Sequence, residues 1–165
     1  MSSGPRFRLV LAKEDFKFSV AHFTLFSPVD AELLHGHNYR VSVELVGDAL
    51  DDLGLLADVD RIKREIRRLC AALDSRTLIP AESPLLRVEH RDGGVEVAYD
   101  GRSYRFPEED VLLLPLANSS MELLARYLWE GLEPTVAGSG LREMSVAVEE
   151  SAGQRCVYER SLEPR

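Results

Sequence analysis

The chain has 165 residues, 45% apolar and 29% charged, with a net charge of -8, which suits one compact soluble domain with a buried core. That acidic balance argues against general nucleic-acid binding, which needs a basic surface. No apolar run approaches the roughly 20 residues of a membrane-spanning helix, MSSGPRFRLV lacks the apolar segment of a secretory signal, and two cysteines make no disulfide framework, so a cytoplasmic address is expected.

Phe7 to Leu11 alternate apolar with basic or polar residues, and Phe16, Phe18 and Val20 alternate again, as strands do. An irregular stretch follows from Phe23 to Leu34, with turn signals at Ser27-Pro28 and Asp30. Tyr39 to Val46 then reads as a strand with Tyr39, Val41, Val43 and Leu45 on one face. Val59, Ile62, Ile66, Leu69 and Leu73 recur at helical spacing, with Asp58 as the N-cap and Cys70 on the apolar stripe. Arg61, Lys63, Arg64, Arg67 and Arg68 cover the other faces of that helix. A solvated surface is the ordinary reading of such a cluster, and a phosphate site is the alternative.

Further on, Arg87 to Glu89 and Val95 to Tyr99 flank Gly93-Gly94 as a hairpin, and Ser103 to Phe106 add a third short strand. The longest apolar run, Val111 to Ala117, contains a proline. Ser119-Ser120-Met121-Glu122 is a capping box that opens a second helix reaching about Gly131. Met144 to Glu149 and Cys156 to Arg160 are two more strands, joined through Ala152-Gly153. No repeat or linker divides the chain, so residues 1–165 are expected to form one domain with an inserted hairpin at about 85–106. Strands mixed with two amphipathic helices predict an α+β fold, the helices packing on one face of an antiparallel sheet.

Three of the four histidines, His22, His35 and His37, lie within sixteen residues. His35-Gly36-His37 leads directly into a strand, whose period of two puts both imidazoles on one face, about 6.5–7 Å apart at the backbone. Rings so placed can converge on one ion, and Gly36 leaves space on the opposite face. His22, at the end of the preceding strand-like run, is the candidate third ligand. Three histidines without a nearby cysteine fit a catalytic zinc site with an open position better than a closed structural one. His90, between Glu89 and Arg91, reads as surface.

These residues resemble a known family. Phe18-Ser19-Val20-Ala21-His22 is similar to the FSAAH segment of the 6-pyruvoyl-tetrahydropterin synthase and 6-carboxytetrahydropterin synthase family, and His35-Gly36-His37-Asn38-Tyr39 is that family's HGHNY motif. Gly54 to Lys63, Leu73-Asp74, Asn118 to Ala125 and Val148-Glu149-Glu150-Ser151 match further segments in order. The resemblance implies a T-fold, a four-stranded antiparallel sheet with two helices on one side. Three subunits would close their sheets into a barrel, and two trimers would stack into a hexamer. It implies zinc on His22, His35 and His37, and Glu150 as the pterin anchor, because a carboxylate can accept two hydrogen bonds from the ring. Judged without the family, Glu150 is an exposed strand-end glutamate. Ser120 stands where the family has a threonine near the pterin, and helix capping explains it equally well.

The family's cysteine four residues before HGH is replaced by Ala31. Glu32 follows, and Glu32-Leu33-Leu34-His35-Gly36-His37 resembles the family's ExxHGH variant. That variant cleaves the side chain of 7,8-dihydroneopterin triphosphate to 6-hydroxymethyl-7,8-dihydropterin, with Glu32 as the general acid/base. A solvated loop glutamate is the alternative. The histidine of the family's LDH motif is Ser75 here, which leaves Asp74 as a second catalytic candidate or as a group that orients Arg76 or a water. The resemblance implies a zinc-dependent carbon–carbon or carbon–oxygen lyase acting on a small pterin triphosphate, with neither nucleic acid nor membrane as partner. The alternatives are a 6-pyruvoyl- or 6-carboxy-tetrahydropterin synthase, and a non-catalytic pterin- or zinc-binding homologue.

Overall fold

A computed structural model describes residues 6–162. In chain order the elements are β1 (Phe7–Leu11), β2 (Lys17–His22), β3 (Leu25–Ser27), β4 (Asp30–Ala31), β5 (His35–Gly47), α1 (Val59–Leu73), β6 (Arg76–Pro80), β7 (Arg87–Arg91), β8 (Gly94–Tyr99), β9 (Arg102–Pro107), β10 (Val111–Leu114), α2 (Met121–Val136), β11 (Glu143–Ser151) and β12 (Gln154–Ser161). Among them, no helix is long and apolar enough to cross a membrane.

The expected four antiparallel strands are present in the order β2-β5-β11-β12, and the fold is the T-fold. The sheet extends beyond them. β6 joins β2 and β10 joins β6, both in parallel, and neither is signalled by alternation. β6 is buried on four of its five positions, so its sequence shows a short apolar run rather than a period of two. β1 and β2 take successive stretches of one edge of the long β5, Phe7 facing Gly47 and His22 facing His35.

α1 packs against β2, and α2 against β11 and β12. Between helices and sheet lies one core containing Phe16, Phe18, Tyr39, Val41, Val43, Leu45, Ile62, Ile66, Leu73 and Trp129, each contributing about 1.5–3 kcal/mol of burial. The buried Trp129 indole donates to the Met144 carbonyl at 2.8 Å, so its polar atom is satisfied. Asp58 caps α1 by accepting from the Arg61 amide at 3.0 Å. α1 ends at Leu73, where Ser75 takes the left-handed conformation (φ 59°) usual at the end of a helix.

Several elements differ from expectation in extent, among them β5, which begins at His35 rather than Tyr39, and β8, which takes in Gly94 and leaves the β7–β8 turn at Asp92-Gly93. The stretch from Phe23 to Leu34 contains the small β3–β4 hairpin, its turn at Pro28 as the sequence signals. α2 runs past Gly131 to Val136, because Gly131 is a contact point between helices and not a terminator. A Cβ there would lie 2.8 Å from Leu69 Cδ2.

The segment from Arg87 to Pro107 forms a separate meander, β7-β8-β9. It has its own buried cluster, in which Val95, Val97 and Tyr99 meet Phe23, Leu25, Ile79 and Val111.

Candidate metal centre and active site

The three histidines converge because two adjacent antiparallel strands carry them on one face. Along β2 the inward positions are Phe18, Val20 and His22, and along β5 they are His35, His37, Tyr39 and Val41. His22 pairs with His35 and Val20 with His37, so period-two alternation delivers all three rings to one end of the helix-covered face. One ring nitrogen of each lies within 4.8 Å of the others.

Hydrogen bonds set the tautomers of two rings. His22 Nδ1 donates to the Ser119 carbonyl at 3.1 Å, and His35 Nδ1 to the Leu33 carbonyl at 2.7 Å. Each therefore turns an Nε2 lone pair toward the centre, as in an oriented metal ligand. The Nε2 atoms of His35 and His37 are 2.7 Å apart. Burial, with help from His35 and His37, pushes His22 down to about 4, so its ring is neutral, the ligating form. Tyr39 reaches His22 Nε2 with its hydroxyl at 3.1 Å, and its phenol is held above the usual tyrosine range by burial and by Glu150 and Glu32. Three inward-facing imidazoles without thiolate or backbone ligands fit a zinc ion with an open position.

Two carboxylates border the rings. Glu32 Oε2 is 3.9 Å from His35 Nε2, and Glu150 Oε1 is 2.8 Å from His37 Nε2. Burial alone would raise the Glu32 carboxyl, but hydrogen bonds from Thr24 and the nearby His35 and His22 outweigh it and hold the group below the usual glutamate range. The Thr24 amide donates to Glu32 Oε2 at 2.8 Å. Glu32 is thus an ionised acceptor beside the imidazoles.

The other candidates have partners of their own. Asp74 caps the C-terminus of α1, one oxygen accepting from the Ser19 amide at 2.7 Å and the other from the Ser75 hydroxyl at 3.0 Å. Arg76 turns away from it, toward the Glu109 carbonyl. Ser120 is the N-cap of α2, accepting from the Leu123 amide at 3.4 Å. His90 is on the surface, 3.5 Å from Glu108. A cleft of about 620 Å³ is lined by Ser19, Gly36, His37, Asn38 and Arg76 among others.

Sequence reasoning missed the groups that hold the rings. Asn118 binds both the amide and the carbonyl of Leu25, at 3.1 and 2.8 Å, and the Ser119 hydroxyl donates to the Phe23 carbonyl at 2.8 Å. Together they fasten the segment after His22 to the start of α2. The available signal was the Asn118-Ser119-Ser120 run, read as a helix cap and as part of a family-like segment but not as the support of His22.

The family model described as 6-pyruvoyl tetrahydropterin synthase matches residues 11–161. A protein of Methanocaldococcus jannaschii, provisionally named 6-carboxy-5,6,7,8-tetrahydropterin synthase, is 30% identical over 150 residues, covering 89% of this chain and 91% of the relative. The crystal structure of 6-pyruvoyl tetrahydropterin synthase from Plasmodium vivax superposes with a TM-score of 0.89 at 28% identity, covering 94% of this chain and 98% of that one. A variant of the Plasmodium vivax enzyme superposes with the same TM-score of 0.89, identity of 28% and coverage of 94% and 98%. In it a glutamate described as a catalytic residue is replaced by alanine.

Proposed function

This chain belongs to the 6-pyruvoyl tetrahydropterin synthase family, and on that premise we propose that it is a zinc-dependent lyase that cleaves the side chain of 7,8-dihydroneopterin triphosphate to 6-hydroxymethyl-7,8-dihydropterin. The observation that carries the reading is Glu32, whose carboxylate stands 3.9 Å from a ring of the histidine cluster in a chain with Ala31 in place of the family's cysteine. The catalytic glutamate named for the Plasmodium vivax enzyme supports giving a glutamate that task.

His22, His35 and His37 would hold the zinc, which when bound supplies Lewis-acid polarisation of substrate hydroxyls. Glu32 accepts the proton of the hydroxyl on C2′. The C1′–C2′ bond then breaks, C2′ leaves as the aldehyde carbon of a phosphorylated two-carbon fragment, and the bonding electrons delocalise from C1′ into the pterin ring. Glu32 returns its proton to C1′, which already carries the hydroxyl of the hydroxymethyl product. Glu150, beside His37, accepts hydrogen bonds from the pterin ring N–H and exocyclic amine. Asp74, with both oxygens engaged, holds the end of α1 against β2, and Ser120 contributes to the pterin side of the site from the start of α2.

The name of the Methanocaldococcus relative favours a second reading, 6-carboxy- or 6-pyruvoyl-tetrahydropterin synthase activity. Incubating the zinc-loaded protein with 7,8-dihydroneopterin triphosphate and separating the products decides between them. 6-Hydroxymethyl-7,8-dihydropterin is the expected product. A pyruvoyl or carboxy pterin would replace this reading with the second, and binding without turnover would make the protein a pterin-binding homologue.

A further inference from the structure

The meander β7–β9 reaches the segment that carries Glu32. The β8–β9 turn, Asp100-Gly101, has positive φ at both residues (43° and 75°), the two-residue hairpin geometry that matches strand twist. Tyr99 and Arg102 face each other across it, the Arg102 guanidinium 5.9 Å from the Tyr99 ring centre. Both side chains then extend to the β3–β4 hairpin and its outgoing loop. Tyr99 donates its hydroxyl to the Ser27 carbonyl at 2.6 Å, and Arg102 donates to the carbonyl of Glu32 itself at 3.1 Å.

Packing follows the same path. Phe23 stacks on Tyr104 of β9, ring centres 5.6 Å apart. Leu25, Ala31 and Leu34 share the cluster of Val95, Val97 and Tyr99. The outer side of the segment has no such support, since Phe26, Val29 and Leu33 are 62%, 72% and 74% exposed. The loop is therefore held from its inner side, where the meander lies.

We propose that the meander is a brace for Glu32, with Arg102 and Tyr99 as positioning residues that set the carboxylate's place beside the imidazoles. This rests on Glu32 being the proton acceptor. From within, the Glu32 amide donates to the Thr24 carbonyl at 3.0 Å while its carboxylate accepts from the Thr24 amide at 2.8 Å. From without, Arg102 holds the carbonyl. A residue clasped on both sides keeps its side chain within reach of one position, which is what proton transfer requires.

The test compares Arg102→Met, Arg102→Lys and Tyr99→Phe in the zinc-loaded protein, by hydrogen–deuterium exchange over residues 24–34 and by kcat and KM for 7,8-dihydroneopterin triphosphate. Arg102→Met is expected to speed exchange in that segment and to lower kcat on the order of 10- to 100-fold, the effect of misplacing a reacting group by about 1 Å, with KM changed by less than about twofold. Arg102→Lys, which still offers a donor to the Glu32 carbonyl, should recover most of the loss. Tyr99→Phe removes one oxygen and should show the same pattern more weakly, and it carries the test if Arg102→Met does not fold. Unchanged exchange, or faster exchange with wild-type kcat, overturns the brace. Failure of Glu32 as the proton acceptor is read separately, from full turnover in Glu32→Gln, and exchange then still reports whether the tether exists.

Discussion

Three imidazoles with ligating atoms within 4.8 Å of one another repel as soon as more than one is protonated, and a cation between them removes that conflict. Protein prepared without a histidine tag should therefore carry about one zinc per chain, and His35→Ala or His37→Ala should lose it. Metal analysis showing full retention in both variants would remove the centre. The carboxylates beside the rings should separate in their effects. Glu32→Gln keeps size and most hydrogen bonding but loses the proton acceptor, so zinc content stays at the wild-type level while turnover falls roughly 10²–10⁴-fold. Glu150→Gln replaces one acceptor oxygen by a donor facing ring N–H groups, so it should raise the Kd for a pterin. Wild-type turnover in Glu32→Gln would move the base elsewhere, and Asp74 would be the next to test.

At the scale of elements, α1 and α2 meet closely at Gly131. Gly131 lies where a Cβ would meet Leu69 Cδ2 at 2.8 Å and Cδ1 at 3.3 Å, and Leu69 is itself buried at 8% exposure. Gly131→Val places two further carbons in that contact and a β-branched residue in mid-helix. It should destabilise the fold by about 1–3 kcal/mol, the usual cost of overpacking, measured as a lowered midpoint of denaturant unfolding with unchanged slope. A midpoint at or above the wild-type value would show that the helices part without cost. α2 tolerates Pro134 because Pro134 and Glu130, whose carbonyl loses its i+4 partner, are both exposed to water. Its start, in contrast, is tightly specified: Ser120 caps the helix while Ser119 orients His22.

For the whole molecule, the main sheet ends in β10 and β12, with β1 paired only to β5, and open edges invite pairing with further strands. On β12, Val157, on the opposite face from the core-packed Tyr158, is 46% exposed. The family's barrel of three sheets would cover such edges, and we expect a trimer or hexamer. Light scattering or native mass measurement at micromolar concentration checks this, and a monomer alone would count against barrel closure.

Much of the site was readable because strand periodicity is local. Once His35-Gly36-His37 leads into the Tyr39–Val46 strand and His22 ends the Phe16–Val20 alternation, the direction of each imidazole follows from the period of two, and the α1 stripe follows from spacing in the same way. Glu32 was readable only through a motif, because a loop has no period to aim its side chain. The parallel strands β6 and β10 were hidden, since β6 is buried at four of five positions and β10 is a short apolar run, and neither alternates. What only the tertiary structure decided are the contacts between segments distant in sequence: Ser119 on His22, Asn118 on Leu25, Arg102 on Glu32 and Leu69 on Gly131. A hydrogen bond or a close packing contact across such distances depends on where two elements come to rest against each other, and one segment's sequence encodes only its own half of that encounter.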